Sequence, residues 1–256
     1  MRNSEILILL NVILILFCAE CTVGARRYPD DPPDSKVFLK PVESSVKKKI
    51  RRIKNNYLER TNFHNQSISN YIHDLAVHEF VFDEKTKRMS KKSSIARREI
   101  IKMGSQAVLA LIEGMAYKNT KVRVTSLSLL WFFAKDNNRE SEFLPVIVRS
   151  LSDSNWGIRE TALAIVGEIC RKYAKRGEFV ICNECLGYIR KTLNEDPYKQ
   201  NRAMAALLLY RFGMTNEVPE EFREEIRLAL KYNPWTLSIP DNHPKTNSVS
   251  KTMSGL

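Results

Sequence analysis

The sequence predicts an all-α protein, a solenoid of about four stacked helical units with a pair of helices in front. Three observations carry that prediction. Apolar residues recur at three- and four-residue intervals over most of residues 43–232, the period of one helix face. Between Pro41 and Pro219 only Pro145 and Pro197 interrupt the chain, whereas a many-stranded fold needs frequent turn residues. One helical pattern also repeats in register at intervals of 30, 36 and 43 residues. With 43% hydrophobic residues in 256, the chain has enough apolar material for a core.

Residues 1–25 read as a signal peptide. Arg2 supplies a charged start, Ile6 to Ala19 is apolar except for Asn11, and small residues at Val23 and Ala25 fit cleavage after Ala25. The apolar run is shorter than the roughly 20 residues of a spanning helix. The chain is therefore expected to be exported, periplasmic or secreted, with anchoring by an uncleaved N-terminal segment as the alternative. Residues 26–42 form a Pro/Asp-rich spacer.

Basic capping helices are expected over 43–89. Val46, Ile50, Ile53 and Tyr57 line one face of the first, with Lys47, Lys48, Lys49, Arg51 and Arg52 around it. A second helix follows Ser67, using Ile68, Ile72 and Leu75. The net charge of +12 is concentrated early, with 19 Lys/Arg against 10 Asp/Glu over residues 26–102. Such a segment attracts anionic polymers or lipid headgroups; export argues against nucleic acid as the partner. The same five cations also read as an ordinary solvated helix face.

The repeats occupy 90–215. Arg123, Arg159 and Arg202 are equivalent. Three residues after each come Ser126, Ala162 and Ala205, all small, and six and seven after come the aliphatic pairs Leu129-Leu130, Ile165-Val166 and Leu208-Leu209. An earlier copy has Ser93 in the Arg place, followed by Ala96, Ile100 and Gly104. Another amphipathic helix precedes each Arg-bearing one, over Gln106 to Ala116, Glu142 to Leu151 and Cys185 to Leu193. Asp153 and Asp196 stand six residues before an Arg, in the joining turns. The Arg residues read first as structural, reaching an acid in an adjoining turn. Paired helices of this length cannot bury their apolar faces alone and must stack. A terminal helix is expected over 216–232, and a disordered Pro/Ser/Thr tail over 233–256.

Met103 to Ile112, and Ser152-Asp153 followed by Ile158-Arg159-Glu160-Thr161-Ala162-Leu163, resemble the junctions of HEAT repeats. The likeness is to the HEAT and phycobilisome-lyase HEAT-like superfamily of armadillo-type folds, over roughly residues 90–215. It implies a right-handed superhelix whose inner helices line a concave, protein-binding surface.

Catalytic constellations are missing: the sequence has no Gly-rich phosphate loop, no Gly-x-Ser-x-Gly and no His-Glu-x-x-His. No cofactor or metal is expected. His73 and His78, five apart, point about 140° apart on a helix. Cys170, Cys182 and Cys185 are the one cluster that could hide chemistry. A disulfide from Cys170 to Cys182 or Cys185 would close a loop, contributing about 3 kcal/mol; a metal site, a redox pair and unpaired buried thiols are the alternatives. Asn65-Gln66-Ser67 is a glycosylation sequon. At least one of Trp131 and Phe132 should face a neighbouring layer, and Trp156, in an inter-helix turn, reads as core packing or as a contact residue. The expected function is an exported, non-enzymatic scaffold that binds protein. The alternatives are a surface- or polyanion-binding protein using the basic helix, or a HEAT-like lyase using the cysteines.

Overall fold

The computed structural model describes residues 43–58 and 66–232. Helices dominate: α1 Ser44–Leu58, α2 Gln66–Asp74, α3 Lys92–Met103, α4 Val108–Gly114, α5 Thr120–Asp136, α6 Glu140–Arg149, α7 Trp156–Lys175, α8 Phe179–Glu195, α9 Lys199–Arg211 and α10 Glu220–Tyr232. The expected cleavage after Ala25, the spacer, Asn65 of the sequon and the tail lie outside the described residues.

Each repeat unit is a helix pair, α4–α5, α6–α7 and α8–α9, and the second helices α5, α7 and α9 pack on one another in sequence. Their starts are set by local chemistry. Asn119 Oδ1 accepts from the N–H groups of Lys121 and Val122 at 2.9 and 3.3 Å, and Asn155 Oδ1 from those of Gly157 and Ile158 at 3.0 and 3.3 Å. These N-caps satisfy donors that the first turn leaves free. Residues with left-handed backbone follow the helices that precede each new pair: Gly104 (φ 56°), Asn138 (φ 53°), Gly177 (φ 73°) and Gly213 (φ 78°). The 43-residue interval has a different origin from the loop expected for it. Lys172 to Lys175 extend α7, α8 begins at Phe179, and only a short turn separates them.

Ser126, Ala162 and Ala205 are completely buried. A Cβ on Gly114 of α4 would stand 2.3 Å from Ser126 Oγ, so these two helices approach as closely as their side chains permit. Ala162→Leu is accordingly expected to overpack the layer and destabilise by about 1–3 kcal/mol; urea unfolding with an unchanged midpoint would contradict the packing.

Residues 43–89 depart from the expected capping pair in two ways. First, α1 does not cap the end of the stack. It lies across α4 and α6, burying Val46, Ile50, Ile53 and Tyr57, and it reaches α8 through Lys49–Glu184 at 3.0 Å and Lys191–Glu43 at 2.9 Å. Second, Phe80–Asp83 (β1) and Arg88–Lys91 (β2) form an antiparallel hairpin pairing Phe80 with Lys91 and Phe82 with Met89. Phe80-Val81-Phe82 is a run of aromatic and β-branched residues, the types strands favour.

Charge clasps the hairpin to α3. Arg98 forks onto buried Asp83, at 2.6 Å from Oδ2 and 3.1 Å from Oδ1, and holds the Asp83 carboxyl well below the usual carboxylate range. Glu99 accepts from Lys85 Nζ at 2.6 Å; chiefly this bond lowers its pKa from 4.5 to about 2. A depressed carboxylate stabilises the fold above its unfolded value and loses that contribution as pH falls through the folded one. Thermal stability should therefore fall as the pH drops from roughly 4.5 to 2, and Glu99→Gln should remove part of that slope.

Candidate interaction surface

The sequence-equivalent arginines build a ladder at the turns. Arg123 Nε and Nη2 donate to Asp153 Oδ2 and Oδ1, both at 2.9 Å. Arg159 repeats this one unit later, at 2.8 and 3.1 Å to Asp196 Oδ2 and Oδ1. In each case the third nitrogen, Nη1, donates to carbonyls of its own turn. The aspartates work twice, because Asp153 Oδ1 also accepts from Asn155 N and Asp196 Oδ1 from Tyr198 N. A forked, charge-assisted pair that also shapes a turn locks adjacent units into one angle. Arg123 and Arg159 thus each reach an acid in the adjoining turn.

Trp156 joins the same seam. Its ring stacks on Tyr198 at 5.9 Å and 18°, and the Arg159 guanidinium sits 5.4 Å from the Tyr198 ring. It couples two units instead of standing out as a contact residue. Near the first rung lies a recess of about 340 Å³ lined by Ile112, Met115, Tyr117, Arg149, Ser152 and Asp153, with no nucleophile–base pair in its wall.

The cysteines are buried free thiols in this structure. Antiparallel α7 and α8 bring Cys170 Sγ to 3.0 Å from Cys182 Sγ. Burial raises the Cys170 pKa and pushes that of Cys185 up to about 12, which disfavours the thiolate form at both. If oxidised, the neighbour chosen is Cys182. Treatment with a diamide oxidant should join Cys170 to Cys182 in tryptic maps; a Cys170–Cys185 peptide would contradict the geometry. His73 meets the Tyr117 ring edge-on and His78 lies against the Lys121 ammonium, so the two do not converge. Among the described residues no group of three or more His, Cys, Asp or Glu is arranged to hold a metal ion, and no helix is long and apolar enough to cross a membrane.

What remains is surface. With α1 lying across α4 and α6, those first helices are partly covered by the chain itself. The second helices are left outward on their other side. Five residues after each arginine stand Ser128, Ala164 and Leu207, the first two exposed. Trp131 is half-buried on α5 and Tyr210 is exposed on α9. The same repeat position thus carries an exposed small residue on α5 and α7 and a half-buried leucine on α9. On the opposite side, α1 turns outward a ridge of Lys47, Lys48, Arg51 and Arg52, none of which forms an ion pair among the described residues. Lys49 differs, being tied to Glu184. Sequence periodicity located the ridge but not what lies beneath it, since nothing in a helix's own pattern names the surface it covers.

Comparison with known proteins agrees with the repeat geometry. Residues 143–173, from within α6 to near the end of α7, match the HEAT repeat family model. No curated protein and no solved structure gave a significant match to the chain.

Proposed function

We propose that this protein is a non-enzymatic scaffold that binds a protein partner across the outward side of α5, α7 and α9, and that it works after export. HEAT repeats generally mediate protein–protein interaction, and residues 143–173 are one. The observation that carries the choice of face is the placement of α1. The chain spends its own apolar stripe, Val46, Ile50, Ile53 and Tyr57, on the first helices, while Ser128 of α5 and Ala164 of α7 stay exposed. Exposed small residues admit a partner's side chains closely, and aromatics such as the exposed Tyr210 are favoured anchors at interfaces.

Cross-linking of the mature protein to a partner captured from its own compartment tests this. Cross-links should map to α5, α7 and α9, and Ser128→Arg with Ala164→Arg should abolish capture at an unchanged melting temperature. Cross-links confined to α1 would overturn it. N-terminal sequencing of the exported chain should begin at Arg26; a start at Met1 would sink the cleaved signal.

One observation favours a second reading, an anionic partner on α1. Four unpaired cations at positions 47, 48, 51 and 52 share one outward side of a helix whose inner side is anchored. Binding to anionic vesicles, lost in a variant with these four neutralised, would support it.

A further inference from the structure

The β1–β2 hairpin turns its apolar side to solvent. Asp83 of β1 is buried, clasped by Arg98 of α3. Phe80 and Phe82, two apart and so on one face, are 57% and 53% exposed. Met89 pairs directly with Phe82, and Lys91 with Phe80, which puts both on that same face. Met89 is 61% exposed, and the Lys91 ammonium sits 5.6 Å from the centre of the Phe80 ring. A sheet with one solvated face ordinarily turns its polar residues outward. Here a carboxylate is buried, and two phenylalanines and a methionine are not.

Cations surround this face. Lys87 and Arg88 stand at its turn end, Lys91 and Lys92 at the other. Lys85, Lys87 and Lys92 are paired with Glu99, Glu84 and Glu79, whereas Arg88 and Lys91 form no ion pair among the described residues. Burial, and then the charges of Lys91 and Arg97, lower the pKa of Lys121 in α5, so positive charge gathers around Lys91.

We propose that the hairpin is a membrane-surface anchor, in which Phe80, Phe82 and Met89 enter the interfacial layer of an anionic bilayer while Arg88 and Lys91 meet its phosphate headgroups. Area decides against a protein as the occupant. Three side chains of this size, each about half exposed, offer on the order of 300 Å². A specific protein interface buries roughly 800 Å² on each partner. A bilayer sets no such requirement, because shallow insertion of a few apolar side chains and attraction of basic residues to anionic lipid add to each other. The Asp83–Arg98 fork fixes the opposite face of the hairpin on α3, so the apolar face keeps its direction on contact. The site is separate from the basic ridge of α1.

Co-sedimentation of the full chain with vesicles tests this. Vesicles of equal parts phosphatidylglycerol and phosphatidylcholine should bind the protein, and phosphatidylcholine alone about tenfold less or weaker. Phe80→Ser, Phe82→Ser and Met89→Ser combined should reduce binding to the anionic vesicles more than tenfold. Arg88→Gln with Lys91→Gln should reduce it about tenfold. Should the serine variant fail to fold, Phe82→Trp decides by itself: its added fluorescence should shift to the blue on binding and be quenched by lipids brominated in the acyl chain. Unchanged binding by the folded serine variant, or no quenching in Phe82→Trp, would overturn the proposal. So would loss of binding on neutralising positions 47, 48, 51 and 52 with the serine variant unaffected, which would assign the lipid to α1. Self-association abolished by the serine variant, with no vesicle binding, would make the face a contact between copies of this chain and overturn it equally.

Discussion

Replacing Asp196 with alanine is expected to cost about 3–5 kcal/mol of unfolding free energy, measured by urea denaturation. The pair it breaks is nearly dry: the Arg159 side chain is 2% exposed and that of Asp196 4%. Removing the carboxylate leaves a guanidinium buried between two units with no counter-charge, held only by its own turn's carbonyls and the Tyr198 ring. It also frees Tyr198 N and Asn201 Nδ2, which the same carboxylate accepts at 2.9 and 3.0 Å. The equivalent change at Asp153 acts on a more open rung, with both side chains 12% exposed. Its cost should be about 1.5–3 kcal/mol, in the range of hydrogen bonds to charged groups. The ordering of the two variants is the sharper test. Equal losses would mean that burial does not set the strength of the rungs.

Phe143→Ala should cost a comparable 3–5 kcal/mol, about what a buried phenylalanine contributes with its cavity. Phe143 is fully buried in α6. Its ring lies 5.9 Å from that of Tyr57 in α1 and 6.3 Å from that of Phe133 in α5, centre to centre, and the Arg139 guanidinium is 5.8 Å from its centre. One side chain thus joins three helices. Its removal should loosen α1 in particular, so amide exchange in residues 46–57 should accelerate more than in α8. Equal acceleration in both would mean that α1 is held by its ion pairs instead of this contact. Those pairs, Lys49–Glu184 and Lys191–Glu43, are half exposed and contribute little on their own.

Much of this molecule is legible without coordinates. Helix positions follow from the 3.6-residue recurrence of apolar side chains, the stacking order from the register of Arg123, Arg159 and Arg202, and the small layer residues from Ser126, Ala162 and Ala205. Even the arginine–aspartate rungs are visible in outline, because both partners recur at fixed places in the repeat. Each of these is a local or periodic property. The fold departs from that reading where neither locality nor period applies. Phe82 reads as a helix flank until the strand-favouring run Phe80-Val81-Phe82 pairs with Arg88–Lys91, and the long interval holding the cysteines reads as a loop until two extended helices absorb it.

The sequence by itself determined which segments are helical, which side of each is apolar, and that the units must stack, because these depend on neighbours within a turn or one repeat away. Only the tertiary structure decided that α1 lies across α4 and α6, that Cys170 meets Cys182, and that Trp156 stacks on Tyr198. An apolar stripe demands burial but does not name its partner. Lys49 and Glu184 are 135 residues apart, and a contact of that span is chosen by competition among all the surfaces that could cover the stripe.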